Sequence, residues 1–309
     1  MTSSINFPTS YHVNPEVNEW LSKGSFFNYQ GLDIFYRDEG GGPCLLITHG
    51  YPYNGFDFKE ILPVLIKDYR VLIPDMPGMG FSDKPDKHRY SFEEMADVYA
   101  TLLNEMNITD VHMLAHDLGN SVVQELIARS GENKNSFHIR SIAFLNGGLF
   151  TDVYKPRLIQ ILLSKSPKPI GRLFSKLMTR TMVTKATAEV FGKHTKPAPE
   201  LLDCFWKILN YKNGKAITYL LGRLIFEKVN YQHRWINAMQ NTSIPMCFIN
   251  GPADPNSGMH MANRYRDIIP NPKIYLLSEH IGHWPQIEAP EEVLSAFYAF
   301  HRNSNSYSK

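Results

Sequence analysis

A carboxylate, Asp117, lies at the centre of the sequence Ala115-His-Asp-Leu-Gly119, between a strand-like apolar run and a helix-like one. In a nucleophile elbow, small residues two positions before and two after the nucleophile allow a strained turn that exposes it at a helix N-terminus. Ala115 and Gly119 stand at those positions. Because Asp is also a frequent helix N-cap, this segment by itself indicates a nucleophile and a cap equally well.

Two further residues complete the set that nucleophilic hydrolysis needs. Asp254 follows the apolar run 246–250, and His283 follows the run 274–277. Taken singly, Asp254 is explained as a turn former beside prolines and His283 as a hydrogen-bonded interior histidine. Together with Asp117 they stand in the chain order nucleophile, acid, histidine, each just past a predicted strand. Open α/β sheets place their sites at those strand ends, so we expect all three side chains to be catalytic.

The loop sequence His49-Gly-Tyr-Pro52 follows another apolar run. An N–H group of such a loop and the N–H group after the nucleophile together form an oxyanion hole, which predicts Tyr51 and Leu118 as the two donors. We expect His49, Pro52 and His116 to support these loops. The alternative for His49 is an ordinary buried hydrogen-bond donor of the core.

Positioning these residues requires alternating strands and helices, which indicates the α/β class with a mostly parallel sheet and helices on both faces. Apolar runs predict strands at 32–37, 44–49, 70–74, 111–115, 141–146, 245–250 and 273–277. Helical spacing predicts helices at 91–106, 118–128, 259–268 and 290–301. Between the predicted strands 141–146 and 245–250 lies a mostly helical stretch that is too long to be a single crossover connection. We therefore predict a core of residues 1–150 and 241–309 with an inserted helical cap at 151–240.

The charge distribution sets the predicted cap apart. It contains 16 Lys and Arg against 5 Asp and Glu, whereas the whole chain has a net charge of only +2. An anionic partner or a membrane surface is one explanation, with residues 155–182 as an interfacial segment. The other explanation is a basic insert seated on an acidic body, with 155–182 as a lid. Scattering of the basic residues among Leu, Ile and Pro favours the second.

Composition excludes several classes of protein. With 43% hydrophobic and 20% charged residues among 309, the chain is neither disordered nor fibrous. Three widely spaced cysteines argue against a disulfide framework and against a thiolate zinc site. An N-terminus without a basic and apolar leader, and the lack of an apolar run of about 18 residues, predict a cytoplasmic location.

Cofactor and nucleic-acid sites are also disfavoured. Gly78 and Gly80 form only part of a dinucleotide fingerprint, and His112 and His116 lack a nearby third metal ligand. The basic insert has no base-stacking motif and no compact Lys/Arg stripe. We expect no cofactor, no metal and no nucleic-acid partner. Aromatic and aliphatic residues of the insert predict a small apolar substrate.

These motifs together resemble the α/β-hydrolase fold family, specifically the branch with an aspartate nucleophile that contains epoxide hydrolases and haloalkane dehalogenases. The resemblance extends over residues 26–300. It rests on His49-Gly-Tyr-Pro52, Asp75-Met-Pro-Gly-Met-Gly-Phe-Ser82, His116-Asp-Leu-Gly119 and Gly282-His-Trp284. Within that branch, further motifs such as Phe81-Ser-Asp-Lys-Pro85 are similar to those of a vertebrate subgroup whose substrate the resemblance does not define.

The resemblance implies a covalent mechanism. An ionised Asp117 displaces a leaving group from a saturated carbon, and His283, oriented by Asp254, then activates water to hydrolyse the resulting ester. A scaffold that keeps the fold without turnover is the non-enzymatic alternative.

The family pattern also bears on the leaving group. Haloalkane dehalogenases bind halide with a Trp after the nucleophile and with an Asn or a second Trp, whereas here Leu118 and Tyr51 occupy those positions. Epoxide hydrolases protonate the epoxide oxygen with cap tyrosines, for which we expect Tyr219 or Tyr231. The first tyrosine position of the family reads Leu-Ser-Lys here, at 163–165. Epoxide opening to a diol is therefore favoured, with carbon–halogen hydrolysis as the alternative.

Overall fold

The computed structural model describes residues 14–305. Within them, eight strands form one sheet: β1 Ser25–Tyr29, β2 Leu32–Gly40, β3 Cys44–Thr48, β4 Arg70–Pro74, β5 Asp110–Ala115, β6 His138–Phe144, β7 Met246–Asn250 and β8 Lys273–Leu276. Their order in the sheet is β1-β2-β4-β3-β5-β6-β7-β8. Pairings from β4 to β8 are parallel, and β2 is antiparallel to both of its neighbours. The predicted mostly parallel α/β sheet is confirmed.

Seven of these strands were predicted from apolar runs, because strands that are covered on both faces are apolar throughout. Every residue of β3 is buried, for example. The strand β1 was missed. It is an edge strand, joined to β2 by Gln30 and Gly31, which both have positive φ as a tight hairpin turn requires.

Fourteen α-helices are present in the described part of the chain. Ten of them are α1 Pro15–Ser22, α2 Leu62–Leu65, α3 Phe92–Glu105, α4 Leu118–Gly131, α5 Leu158–Lys165, α6 Lys168–Leu177, α7 Arg180–Val190, α8 Pro199–Asn210, α9 Thr218–Leu221 and α10 Leu224–Glu227. The others are α11 Gln232–Asn241, α12 Met259–Ile268, α13 Pro285–Glu288 and α14 Pro290–Asn305. The four predicted helices correspond to α3, α4, α12 and α14 and are confirmed. Ser91 caps α3 by accepting the Glu94 N–H at 3.1 Å.

Helices cover both faces of the sheet. One hydrophobic cluster includes side chains of α3, α4, α11 and α12, and a second includes those of α1, α2 and α14. Across residues 14–305, no helix combines the length and the apolar character that a membrane crossing needs.

Seven of these helices, α5 to α11, lie between β6 and β7. Most of the predicted cap is therefore helical. The last helix of the insert, α11, packs against α4, since its Trp235 indole donates to Glu125 at 2.9 Å. Arg234 adds ion pairs to Glu125 and Glu132. Contacts with α4 of the core therefore hold this last helix of the insert.

Candidate active site

Asp117 occupies a strained turn between β5 and α4. Its φ of 47° and ψ of −109° lie outside the regions that non-glycine residues ordinarily adopt. Its carboxylate makes no capping bond to α4; instead Oδ2 accepts the Tyr51 N–H at 3.0 Å. Strain of this kind costs on the order of 1–3 kcal/mol and is typical of functional sites. The geometry is that of a nucleophile elbow and not that of a helix cap.

Close packing around this turn explains two glycines. A Cβ atom on Gly119 would lie 2.5 Å from the Thr48 carbonyl oxygen, so α4 could not approach β3. A Cβ atom on Gly50 would lie 2.7 Å from Cβ of Asp117. Both positions therefore need glycine to hold the Asp117 carboxylate beside the loop that follows β3.

His283 and Asp254 lie beside Asp117, as predicted. Nδ1 of His283 donates to Oδ2 of Asp254 at 2.7 Å, and its Nε2 is 3.8 Å from Oδ1 of Asp117. Three further donors hold the Asp254 carboxylate: the Asn146 amide at 3.1 Å, the Ser257 hydroxyl at 2.5 Å and the Asn256 backbone N–H at 2.8 Å. All three residues of the proposed triad are buried. The imidazole is thus fixed between two carboxylates.

Electrostatics in this cluster favour charged groups despite their burial. Burial opposes ionisation of Asp254, but the charge of His283 and the surrounding donors lower its pKa to about 2. Burial likewise opposes protonation of His283, but Asp254 first and Asp117 second raise its pKa to about 9. At neutral pH the resting site therefore holds His283 as an imidazolium.

Asp117→Asn is expected to lower the pKa of His283, because one of the carboxylates that stabilise the imidazolium is removed. The measurement is an NMR titration of the histidine ring nitrogens, with the His283 signal assigned by its loss in His283→Gln. Asp152→Asn, at an exposed position, is the matched control and should leave the titration unchanged. A pKa of His283 that stays equal or rises in Asp117→Asn would contradict the arrangement.

The two supporting histidines act as structural links. Nδ1 of His49 donates to the Gly50 carbonyl at 2.9 Å, and Nε2 accepts the Met76 N–H at 2.9 Å. Nε2 of His116 donates to the backbone carbonyl of His283 at 2.8 Å. Burial lowers the pKa of His116 to about 4, which keeps it neutral. His49 is therefore the core donor of the alternative interpretation, and His116 positions His283.

The two predicted oxyanion donors adjoin Asp117, Tyr51 through a hydrogen bond and Leu118 as the next residue of the chain. The Tyr51 N–H already contacts Asp117, and Leu118 is the first residue of α4, where helix geometry leaves backbone N–H groups without helical acceptors. Pro52 follows a cis peptide bond and lines the cavity. The Tyr51 hydroxyl donates to the Thr218 carbonyl of α9 at 3.1 Å, which ties this loop to the insert.

A cavity of about 110 Å³ lies over the Asp117 carboxylate. The loops of the sheet contribute Tyr51, Pro52, Tyr53, Asn256, His283 and Trp284 to its wall. The insert contributes Arg157, Ile159, Gln160, Met178, Val183, Ala186, Thr187, Val190, Leu209 and Thr218. For comparison, a cavity of roughly 150 Å³ holds one benzene molecule. The cavity therefore has room for a small group, and its wall is largely apolar.

Neither of the two expected proton donors faces this cavity. Tyr219 is buried in α9, but its side chain is not part of the wall that the described residues form. Tyr231 stacks on Trp235 with ring centroids 5.0 Å apart and packs edge-on against Phe92. Burial and the neighbouring Glu93 raise the pKa of Tyr231 to about 12. The structure therefore does not bring either ring to the cavity wall that the described residues form.

Tyr154 is not part of the cavity wall either, but its hydroxyl is bonded directly to that wall. Its hydroxyl oxygen accepts the Asn256 amide at 3.2 Å and the Gln160 amide at 3.3 Å, and both amides belong to residues of the cavity wall. Since both bonds use the oxygen as acceptor, the hydroxyl proton remains available. Burial first, and the charge of Asp117 second, raise the pKa of Tyr154. Sequence reasoning did not select this tyrosine.

A buried lysine accompanies Tyr154. Nζ of Lys228 is 5.8 Å from the Tyr154 ring centroid and 3.4 Å from the Gly148 carbonyl oxygen. No carboxylate of residues 14–305 lies within ion-pair distance of it. Burial lowers the pKa of Lys228 to about 8, whereas the charge of Asp117 opposes this shift. No sequence motif marked this residue.

The structure offers no metal centre in the range it describes: no group of three or more His, Cys, Asp or Glu is arranged to hold an ion. His112, weighed earlier as a ligand, instead bonds the Ser141 hydroxyl at 2.7 Å.

The chain matches a known protein family over most of its length. Residues 43–290 match the family described as alpha/beta hydrolase fold. The chain is 33% identical over 297 residues to mesoderm-specific transcript protein of Mus musculus, a match that covers 93% of this chain and 88% of that protein. That protein belongs to the vertebrate subgroup that the sequence motifs indicated, so the resemblance is confirmed.

Two solved structures share the fold at low identity. The haloalkane dehalogenase DatA from Agrobacterium tumefaciens C58 has a TM-score of 0.75 at 19% identity, covering 91% of this chain and 97% of that one. The Cif epoxide hydrolase from Acinetobacter nosocomialis has a TM-score of 0.75 at 18% identity, covering 90% and 88%. Such identities indicate a common fold and nothing finer. From the family match and the identity to the mouse relative, the chain belongs to the α/β-hydrolase fold family.

Proposed function

We propose that this α/β-hydrolase opens a small apolar epoxide to a diol through a covalent ester on Asp117. The observation that carries the proposal is the Asp117 carboxylate at its strained turn, with Oδ2 on the Tyr51 N–H and Oδ1 facing His283 at 3.8 Å. A carboxylate in that position is a nucleophile without prior loss of a proton, which a serine in the same place would need.

In the first step, Oδ1 of Asp117 attacks an epoxide carbon and the carbon–oxygen bond of the ring breaks. The departing oxygen takes a proton, for which the Tyr154 hydroxyl is the proposed donor. The Lys228 cation, 5.8 Å from the ring of Tyr154, stabilises the negative charge left on the phenol. The product of this step is a hydroxyalkyl ester of Asp117.

In the second step, water attacks the carbonyl carbon of the Asp117 ester. Forming the ester removes the negative charge of Asp117, which lowers the pKa of His283, so the imidazolium loses its proton to solvent while the Tyr154 phenolate regains one from solvent. The neutral imidazole then accepts a proton from the attacking water, and Asp254 stabilises the imidazolium that forms. The N–H groups of Tyr51 and Leu118 hold the oxyanion, and each such donor typically contributes roughly 3 kcal/mol. Collapse of the oxyanion breaks the ester carbon–oxygen bond, the imidazolium protonates the departing alkoxide, and the diol leaves with Asp117 again a carboxylate.

The choice of an epoxide over a haloalkane rests on the donors around Asp117. The Trp284 indole lines the cavity, but its N–H donates to Asp57 at 3.2 Å and is not available to a halide. The Tyr51 hydroxyl is engaged with Thr218. Leu118 has no polar side chain. Tyr154, by contrast, keeps a proton that an opening epoxide requires.

Tyr154→Phe is expected to slow formation of the ester by roughly 100-fold, because the departing oxygen loses its general acid. Single-turnover kinetics measure this step separately from hydrolysis of the ester. Tyr219→Phe and Tyr231→Phe are matched controls, since among the described residues only the Tyr154 phenol of these three is bonded to residues of the cavity wall. Equal rates in all three variants would exclude Tyr154 as the acid.

The reaction is tested by a parallel screen of the purified protein, which measures diol formation from small aryl and alkyl epoxides and halide release from bromoalkanes. Diol formation well above an Asp117→Ala control is the expected result. Halide release above that control, with no diol formed, would mean that the protein hydrolyses carbon–halogen bonds and not epoxides. If neither diol nor halide forms above that control, the proposed reaction is overturned.

We also place the protein in a reducing compartment, the cytoplasm. Cys44, Cys204 and Cys247 are all free and buried, which supports this location.

A further inference from the structure

The helices α5, α6 and α7 present an unusual number of large apolar side chains to solvent. Seven of the ten large hydrophobic residues that are exposed within 14–305 lie there. Leu158 is 79% exposed and Leu177 is 63% exposed. We call the seven the apolar patch: Leu158, Leu162, Ile170, Leu173, Phe174, Leu177 and Met182. Contiguous exposed apolar surface of this kind marks an interaction site.

The orientation of α6 shows that this exposure belongs to one helix face. Ile170, Leu173, Phe174 and Leu177 follow the i, i+3, i+4, i+7 spacing of one side of a helix. The same helix contacts the protein through small residues, among them Ser175, which is buried and bonds the Thr218 hydroxyl at 3.0 Å. An ordinary surface helix turns its large apolar side inward, whereas α6 turns it outward.

The segment that carries the patch has only positive charges of its own, although three of its arginines pair with carboxylates outside it: Arg157 with Glu189, Arg172 with Asp86 and Arg180 with Asp203. Residues 153–188 contain eight Lys and Arg and no Asp or Glu. Lys168, Lys176 and Lys185 are exposed, and none forms an ion pair with a carboxylate of the described residues. Apolar residues on one face of a helix with Lys and Arg beside them are the pattern of helices that lie in a membrane interface.

We propose that the apolar patch docks on a membrane surface rich in anionic phospholipid. In this arrangement α6 lies parallel to the membrane, Leu173 and Leu177 reach the boundary between headgroups and acyl chains, and Lys168 and Lys176 contact lipid phosphates. A second copy of the chain is a poorer occupant, because a symmetric contact would place two strongly basic surfaces against each other.

This surface adjoins the cavity. Ile159 of α5 and Val183 and Ala186 of α7 line the cavity, while Leu158 and Met182, their immediate neighbours in the chain, belong to the apolar patch. A docked protein would therefore hold its cavity roof against the bilayer, where apolar compounds accumulate. Membrane binding does not depend on the chemistry of Asp117, so it can be tested separately from the proposed reaction.

The test is co-sedimentation of the full chain with phosphatidylcholine vesicles that contain or lack phosphatidylserine. We expect binding to the anionic vesicles, weakened by salt. Lys168→Glu combined with Lys176→Glu should reduce the association constant by about tenfold or more, since each basic residue near an anionic surface contributes roughly a fivefold factor. Leu173→Gln combined with Leu177→Gln should reduce it similarly, because insertion depends on buried apolar area.

Matched controls lie elsewhere on the surface. Lys67→Glu changes an exposed lysine and Leu276→Gln an exposed leucine, both outside the patch, and both should bind like the unmodified protein. Losses in these controls as large as those in the patch variants would overturn the proposal. So would failure of the unmodified protein to bind anionic vesicles.

A fluorescent label distinguishes the membrane from self-association. All three native cysteines are buried, so Leu177→Cys introduces a selectively reactive thiol for an environment-sensitive dye. We expect a blue shift of the dye on adding anionic vesicles, and none for Leu276→Cys. A blue shift that depends on protein concentration without vesicles would show that a second copy covers the patch, and would overturn the lipid assignment.

Discussion

Asp117→Asn is expected to abolish turnover, with kcat reduced roughly 10⁴-fold or more, the scale seen when the nucleophile of a catalytic triad is removed. The amide is neutral and cannot displace the epoxide oxygen, although it has the shape of the carboxylate. Asn also tolerates positive φ, so the turn at residue 117 should be kept. The rate is measured on the substrate found in the screen, with circular dichroism to verify folding.

The matched control for Asp117→Asn is Asp152→Asn, which changes the same residue type at an exposed position. It should retain full activity. If a folded Asp117→Asn variant kept a rate within about tenfold of the unmodified protein, the nucleophile would have to be another residue.

His283→Gln is expected to stop turnover after the first step, so that the ester accumulates on Asp117. Attack by Asp117 needs no base, whereas hydrolysis of the ester needs His283 to take a proton from water. The variant should therefore bind one substrate mass per chain, located by mass spectrometry on the peptide that contains Asp117. If His283→Gln abolished formation of the ester as well as its hydrolysis, the imidazole would also be needed for the attack by Asp117.

Asp254→Asn provides a graded comparison. The amide cannot stabilise the imidazolium, although Ser257 and Asn146 remain beside it. We expect slower hydrolysis of the ester with an unchanged rate of ester formation. An adduct on a serine or a cysteine in either variant would contradict the mechanism.

The placement of the triad could be predicted from the sequence because it depends on the sheet alone. Asp117, Asp254 and His283 each follow an apolar run that forms a strand, and parallel strands bring their carboxyl ends to one edge. Burial makes those runs recognisable. The short edge strand β1 was missed because its burial pattern is mixed, with Ser25 and Asn28 exposed.

The proton donor could not be predicted in the same way. Tyr219 lies in α9 and Tyr231 directly precedes α11, and helical spacing tells which face of a helix is buried but not what lies opposite it. Tyr231 is held by Phe92 and Trp235, partners distant in the sequence. Tyr154 lies in the connection between β6 and α5, and β6 is the neighbour of β5, the strand that leads to Asp117; that order was the available signal.

The supporting histidines illustrate a further limit. His49 and His116 occur inside the motifs that carry the family resemblance, yet their ring nitrogens bond backbone atoms of Met76 and His283. A motif reports that a residue belongs to the site but not whether it contacts the substrate.

The central claim, a covalent ester on Asp117, is tested most directly by a single turnover in water enriched in oxygen-18, with enzyme in excess over substrate. Water attacks the carbonyl carbon of the ester, so the heavy oxygen should enter the Asp117 carboxylate and be absent from the first diol released. Mass spectrometry of the Asp117 peptide and of the diol measures both. Heavy oxygen in the diol, with none in Asp117, would mean that water attacks the substrate directly and would contradict the account.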